Sequence, residues 1–128
     1  MVTPALVEKE IADGTRLIQS LDTHNVRHSA VLWAQKMDDP QWELIIATPL
    51  VDQRGPRSAY TSVQEILKSL DPPLSITLQD ITVISPGELL IKELKKIYKK
   101  IDSLITPRRI TITPVAGYSG LLLVYRVR

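Results

Sequence analysis

The chain has 128 residues, enough for one domain with its own core, and its 44% hydrophobic and 23% charged content excludes a disordered polymer. It contains no cysteine, which excludes disulfides, zinc–thiolate sites and thiol nucleophiles. A formal net charge of +2 is too small to argue by itself for nucleic acid as a partner.

The first residues, Met-Val-Thr-Pro-Ala, lack a basic run followed by an apolar core. No apolar stretch reaches the ~20 residues of a membrane-spanning helix. The expectation is a soluble, cytoplasmic protein without a membrane partner.

Pro4 to Leu21 reads as a helix, with Thr3 as N-cap, Pro4 in the first turn, and Leu6, Val7, Ile11, Leu17, Ile18 and Leu21 on one face. Gly14 falls inside this apolar stripe, which predicts that another backbone approaches closely there. Ala30–Gln35 and Trp42–Thr48 read as strands joined by a hairpin turn at Lys36–Pro40. The polar stretch Asp52–Ser58 reads as a loop leading into a helix over Ser58–Leu70, which Asp71-Pro72-Pro73 ends.

Ser75–Ile84 reads as a strand whose apolar phase flips near Gln79-Asp80, as a bulge would make it do. Ser85-Pro86-Gly87-Glu88 has the pattern of a capping box that starts a third helix running to about Ser103. Arg109–Thr113 and Leu121–Val127 read as strands on either side of a Gly117–Gly120 turn. Leu44, Ile46, Val63, Leu67, Leu94, Ile97 and Leu123 are the predicted core.

The order α-β-β-α-β-α-β-β predicts a single α+β domain over residues 1–128. It is expected to be a layered sandwich of three helices on a mostly antiparallel or mixed sheet of about five strands. A terminal hairpin at a sheet edge could pair with a second copy, giving a homodimer.

Five groups of residues carry chemistry worth weighing. Asp52, Arg54, Arg57 and Ser58 place two guanidiniums and a hydroxyl beside a helix start, where a phosphate or carboxylate is favoured. An inert surface loop, with Asp52 paired to an arginine, is the competing reading. The stretch has a single glycine and no Gly-Lys-Ser/Thr ending, so it is not a nucleotide-binding P-loop.

A second group is the basic surface of Lys92, Lys95, Lys96, Lys99, Lys100, Arg108 and Arg109. It suits a nucleic-acid backbone or an acidic partner, but lacks interleaved aromatics and base-reading side chains. Asp22, His24 and His28 are a third group, weighed as metal ligands or a general base. The carboxylates Asp38, Asp39, Glu43 and Asp80 are a fourth, which a metal-dependent hydrolase or nuclease would have to bring together. Arg126 and Arg128 form the fifth and read as solvated charges at a strand end.

The sequence therefore predicts a small binding or accessory module without an identifiable catalytic motif, metal site or cofactor. Its expected partner is a protein or a small anionic ligand held by the Asp52–Ser58 stretch. The alternatives are a small metal-dependent hydrolase or nuclease using Asp52 or Asp80, and a nucleic-acid-binding protein using the lysine-rich third helix.

Overall fold

The computed structural model describes residues 6–128. Its elements are α1 (Glu8–Thr23), β1 (Ala30–Lys36), β2 (Asp39–Ala47), α2 (Leu50–Arg54), α3 (Pro56–Ser69), a 3₁₀ turn (Leu78–Asp80), β3 (Ile81–Ile84), α4 (Leu89–Ile97), β4 (Ile101–Asp102), β5 (Arg108–Thr111) and β6 (Leu121–Val127). The fold is α+β, with helices on both faces of one mixed sheet of order β3-β2-β1-β6-β4, in which β5 also pairs with β6. The predicted cap and first-turn residues of α1, Thr3 and Pro4, lie outside the described residues.

Among the described residues only β2 and β3 pair in parallel, joined through α3, whereas β1–β2, β1–β6, β4–β6 and β5–β6 are antiparallel. A chain that runs in and out of a sheet through hairpins at both ends and one helical crossover must produce this mixture. β4 and β5 share one edge of β6: Ile101 pairs with Val127 and Arg108 with Val124, and residues 103–107 loop out between them.

The two parities of each central strand bury separate cores. Leu17, Ile18 and Leu21 of α1 and Ala59, Val63 and Ile66 of α3 pack on Val31, Trp33, Leu44, Ile46 and Tyr125. Leu90, Ile91 and Leu94 of α4 pack on Ala30, Leu32, Ile45, Leu122 and Val124. A sheet covered on both faces explains why these strands read as nearly continuous apolar runs.

Several expectations need correction. Asp52–Ser58 is not a loop: Asp52 and Arg54 lie in α2, and Arg57 and Ser58 in the first turn of α3, with Gly55 between them at φ 86. The phase flip near Gln79-Asp80 is a 3₁₀ turn rather than a bulged strand, because Asp80 accepts from Thr77 N at 2.8 Å and caps its own turn. Ser85 does not cap α4. Its Oγ donates to both Asp52 carboxylate oxygens at 2.9 and 2.8 Å, and α4 begins later, at Leu89.

α4 also ends early, at Ile97, so that Ile101–Asp102 can join the sheet. Ile97 is consequently 59% exposed and is not core. Gly14 is buried, but a side chain approaches it rather than a backbone: a β-carbon there would lie 2.3 Å from the Tyr125 hydroxyl.

Candidate anion-binding site

The site forms where α1 gives way to β1. His24 N donates to Ser20 O, Asn25 N to Asp22 O at 3.1 Å and Val26 N to Leu21 O at 2.9 Å. With Asn25 left-handed at φ 56, this is a Schellman-type helix end in which asparagine replaces the usual glycine. The turn delivers Arg27, His28 and Ser29 to the end of the sheet.

Hydrogen bonds from three segments then fix these residues. Ser29 N donates to Ala47 O at 2.7 Å, Arg128 N donates to Ser29 O at 2.8 Å, and Thr48 Oγ1 donates to Arg27 O at 2.5 Å. The carboxyl ends of β2, β3 and β6 and the amino ends of β1 and β4 meet at this end, as the pairing registers require.

An open hollow of about 500 Å³ lies here, lined by Arg27, His28, Ser29, Pro49, Pro86, Lys95 and Arg128. Three of these side chains are cationic and none is a carboxylate. Arg27 and Lys95 form no ion pair among the described residues, and Arg128 lies 3.6 Å from Asp22. Ser29 contributes a buried hydroxyl with no hydrogen-bond partner among the described residues. On the other side of Arg27 and Arg128, a second hollow of about 410 Å³ is lined by Asp22, Asn25 and Val26.

A buried charge network supports the floor of the site. Arg126, only 4% exposed, donates from Nη1 to the Asp22 oxygens at 2.8 and 2.9 Å and from Nε to Asp102 Oδ1 at 3.1 Å. Its Nη1 also lies 3.0 Å from His28 Nε2. A guanidinium carries only donors, so Nε2 must accept, and the imidazole proton resides on Nδ1, which donates to Val26 O at 2.8 Å. Burial lowers the His28 pKa from its ordinary 6.5; the Val26 bond and Asp22 oppose this, while Arg128 and Arg126 reinforce it. His28 is therefore a neutral structural acceptor.

Arg126 faces α1 because of a bulge. Val31 pairs with Arg126 and Leu32 with Val124, so Tyr125 is an extra residue on β6 and the side-chain alternation slips by one. Simple alternation would have sent Arg126 to the α4 side. The sequence reading of Arg126 as a solvated strand end is corrected accordingly.

The other candidates are placed as follows. Asp52 is engaged by Ser85, and among the described residues no hydrogen bond or ion pair joins Asp52 to the exposed Arg54 and Arg57. Ser58 lies within the first turn of α3, whose N-cap is Gly55. Asp80 and Asp52 lie at opposite ends of β3, and among the described residues no three His, Asp or Glu side chains gather in a metal-holding group. His24 is bound to Ser20 O through Nδ1 at 2.8 Å, apart from His28.

The basic residues do not share one face. Lys95 lines the hollow, Lys92 and Lys96 lie on the exposed side of α4, and Lys96 pairs with Glu93 at 2.9 Å. Lys99 and Lys100 follow the helix, Arg108 stacks on the Tyr98 ring at 5.1 Å, and Arg109 lies beside Trp42 and Leu123. Arg27 and Ser29 were not singled out in the sequence. The available signal was a basic, hydroxyl-bearing run, Arg-His-Ser, directly before a strand.

Comparison with protein-family models, curated proteins and solved structures finds no match. Among the described residues, no helix is long and apolar enough to cross a membrane.

Proposed function

We propose that this protein is a small binding module for an anionic ligand, and that the ligand sits over Ser29 between Arg27, Lys95 and Arg128. The observation that carries this reading is the convergence of three cationic side chains, contributed by three separate segments, on a hollow lined by no carboxylate side chain. Cations brought together from distant parts of a chain repel one another, and a counter-anion relieves that repulsion. The site lies beyond β2, beside Pro49, rather than at the Asp52–Ser58 stretch.

Titration of the ¹⁵N-labelled chain with sulfate tests this. The expected result is shifts at residues 27–29 and 128 that saturate, and that vanish in an R27A/K95A double variant but persist in R54A/R57A. Shifts confined to residues 52–58, or none at all, would refute the proposed site.

A second reading, nucleic-acid binding, draws on one feature. The Ile101–Val127 pairing sets Lys100 across from Arg128, extending the basic run along the sheet end. Retention on DNA that falls steeply with salt, at about 0.9 in log affinity per phosphate neutralised, would favour it.

A further inference from the structure

We infer that the anion is the dianionic phosphate of a monoester whose organic part rests against Pro49 and Pro86. This rests on the proposed anion site and adds the ligand's charge and class.

The charge balance of the neighbourhood is the first argument. Asp22 and Asp102 are matched by Arg126 and Arg128, through contacts at 2.8, 3.1 and 3.6 Å. Arg27 and Lys95 form no ion pair with a side-chain carboxylate among the described residues, and both line the hollow. Two uncompensated positive charges suit a dianion better than a carboxylate or a sulfate ester, each of which carries one negative charge.

The donors fit as well. Arg27 and Arg128 each offer a planar fork, which matches two oxygens of a tetrahedral oxyanion, and Lys95 adds a point charge. The unpartnered Ser29 hydroxyl supplies a further donor after rotation about its single side-chain torsion. Leaving such a hydroxyl unsatisfied costs about 1–3 kcal/mol, which a ligand oxygen that accepts from it recovers.

Size argues for more than a free phosphate. The hollow of about 500 Å³ falls within the usual range for small-molecule sites and exceeds what one phosphate fills. The rest of its lining is His28, Pro49 and Pro86, and the two prolines have no N–H to offer and carry apolar rings. Those rings suit the carbon skeleton of an ester rather than its charged head.

The experiment is an NMR titration of the full chain with phenyl phosphate, phenyl sulfate and inorganic phosphate at one pH above 7. Phenyl phosphate should shift residues 27–29 and 128 and bind about tenfold more tightly than either comparison. R27A and K95A should each weaken it about fivefold with a thermal midpoint no lower than that of the wild type, since neither side chain makes an ion pair among the described residues and its removal relieves repulsion.

Equal affinity for phenyl sulfate would overturn the dianion assignment while leaving the anion site standing. Equal affinity for inorganic phosphate would overturn the role of the prolines. A short oligothymidylate binding more tightly than phenyl phosphate, with a steep salt dependence, would replace the monoester by a nucleic-acid backbone. Silence from all three small anions would remove this inference and the anion site together.

Discussion

His28 Nε2 accepts a hydrogen bond from Arg126 Nη1 at 3.0 Å, which ties the protonation state of a buried imidazole to the position of a buried guanidinium. Protonating Nε2 would set two donors against each other, and burial already lowers the His28 pKa from 6.5. Between that lowered value and 6.5 the unfolded chain binds more protons than the folded one. This contribution to stability is therefore complete above pH 6.5, is lost as the pH falls through the lowered value, and changes no further below it. Each unit of lowering corresponds to about 1.4 kcal/mol. Urea midpoints measured between pH 7.5 and 4.5 should fall for the wild type and fall less for H28Q, and parallel curves would show that another group titrates.

Arg126 holds Asp22 at the end of α1 and Asp102 on β4 to the middle of the sheet. R126L removes this tie and leaves His28 Nε2 without its donor. Breaking a fully buried pair costs about 3–5 kcal/mol. Here the carboxylates keep water, with Asp22 38% and Asp102 56% exposed, so a loss of about 2–3 kcal/mol is expected. Chemical denaturation measures it, and a loss below about 0.5 kcal/mol would mean that the network contributes no more than an exposed ion pair.

Gly14 exists to admit Tyr125. The Tyr125 hydroxyl accepts from Trp33 Nε1 at 2.8 Å and donates to Ile11 O at 2.7 Å, and burial raises its pKa to about 12. A ring held at both ends cannot withdraw from a β-carbon at 2.3 Å. Alanine should gain about 1 kcal/mol in helix propensity. Overpacking should cost about 1–3 kcal/mol, so G14A should be no more stable than the wild type and most often less. A G14A variant that melts higher would contradict this packing. Y125F should lose about 1–3 kcal/mol by orphaning the Trp33 N–H.

Asp13, 6% exposed, accepts from Ser75 N at 2.8 Å, from Ile76 N at 3.3 Å and from the Ser75 hydroxyl. These bonds pin the segment before the 3₁₀ turn onto α1. All three donors converge on Oδ2, so D13N, which removes the charge and keeps one acceptor oxygen, should cost about 1–3 kcal/mol. Hydrogen exchange at Ser75 and Ile76 should quicken in the variant, and unchanged protection there would refute the assignment.

Local patterns carried much of the fold. The apolar stripe of α3 gave a helix within two residues of its observed limits, that of α1 gave the end but not the start, which lies at Glu8 rather than Pro4, and the alternation of Trp42, Leu44 and Ile46 gave a strand. The unbroken apolar character of Leu121 to Tyr125 pointed to a strand buried on both faces. The errors fell where a tertiary bond outcompeted a local one. Ser85 had the pattern of a cap, and its Oγ does accept from Gly87 N at 3.1 Å, but it also donates to Asp52 from across the chain and the helix begins only at Leu89. Lys99 to Ser103 had helical periodicity, but Ile101 joins β6. The stretch from Asp52 to Ser58 read as a loop because Gly55-Pro56 interrupts it, and α2, only five residues long, is too short to show a helical period.

From its sequence alone, this protein was bound to be a cysteine-free α+β domain with an aliphatic core, because periodicity and composition act over neighbouring residues. Which residues make a site was decided only by the tertiary structure. Arg27, Lys95 and Arg128 are far apart in the chain and meet only because β1, β6 and α4 are neighbours at one end of the sheet. Arg126 turns toward Asp22 only because β6 carries one residue more than β1 across from it. Strand order and register are set by the summed packing of both faces, and no local stretch of sequence encodes that sum.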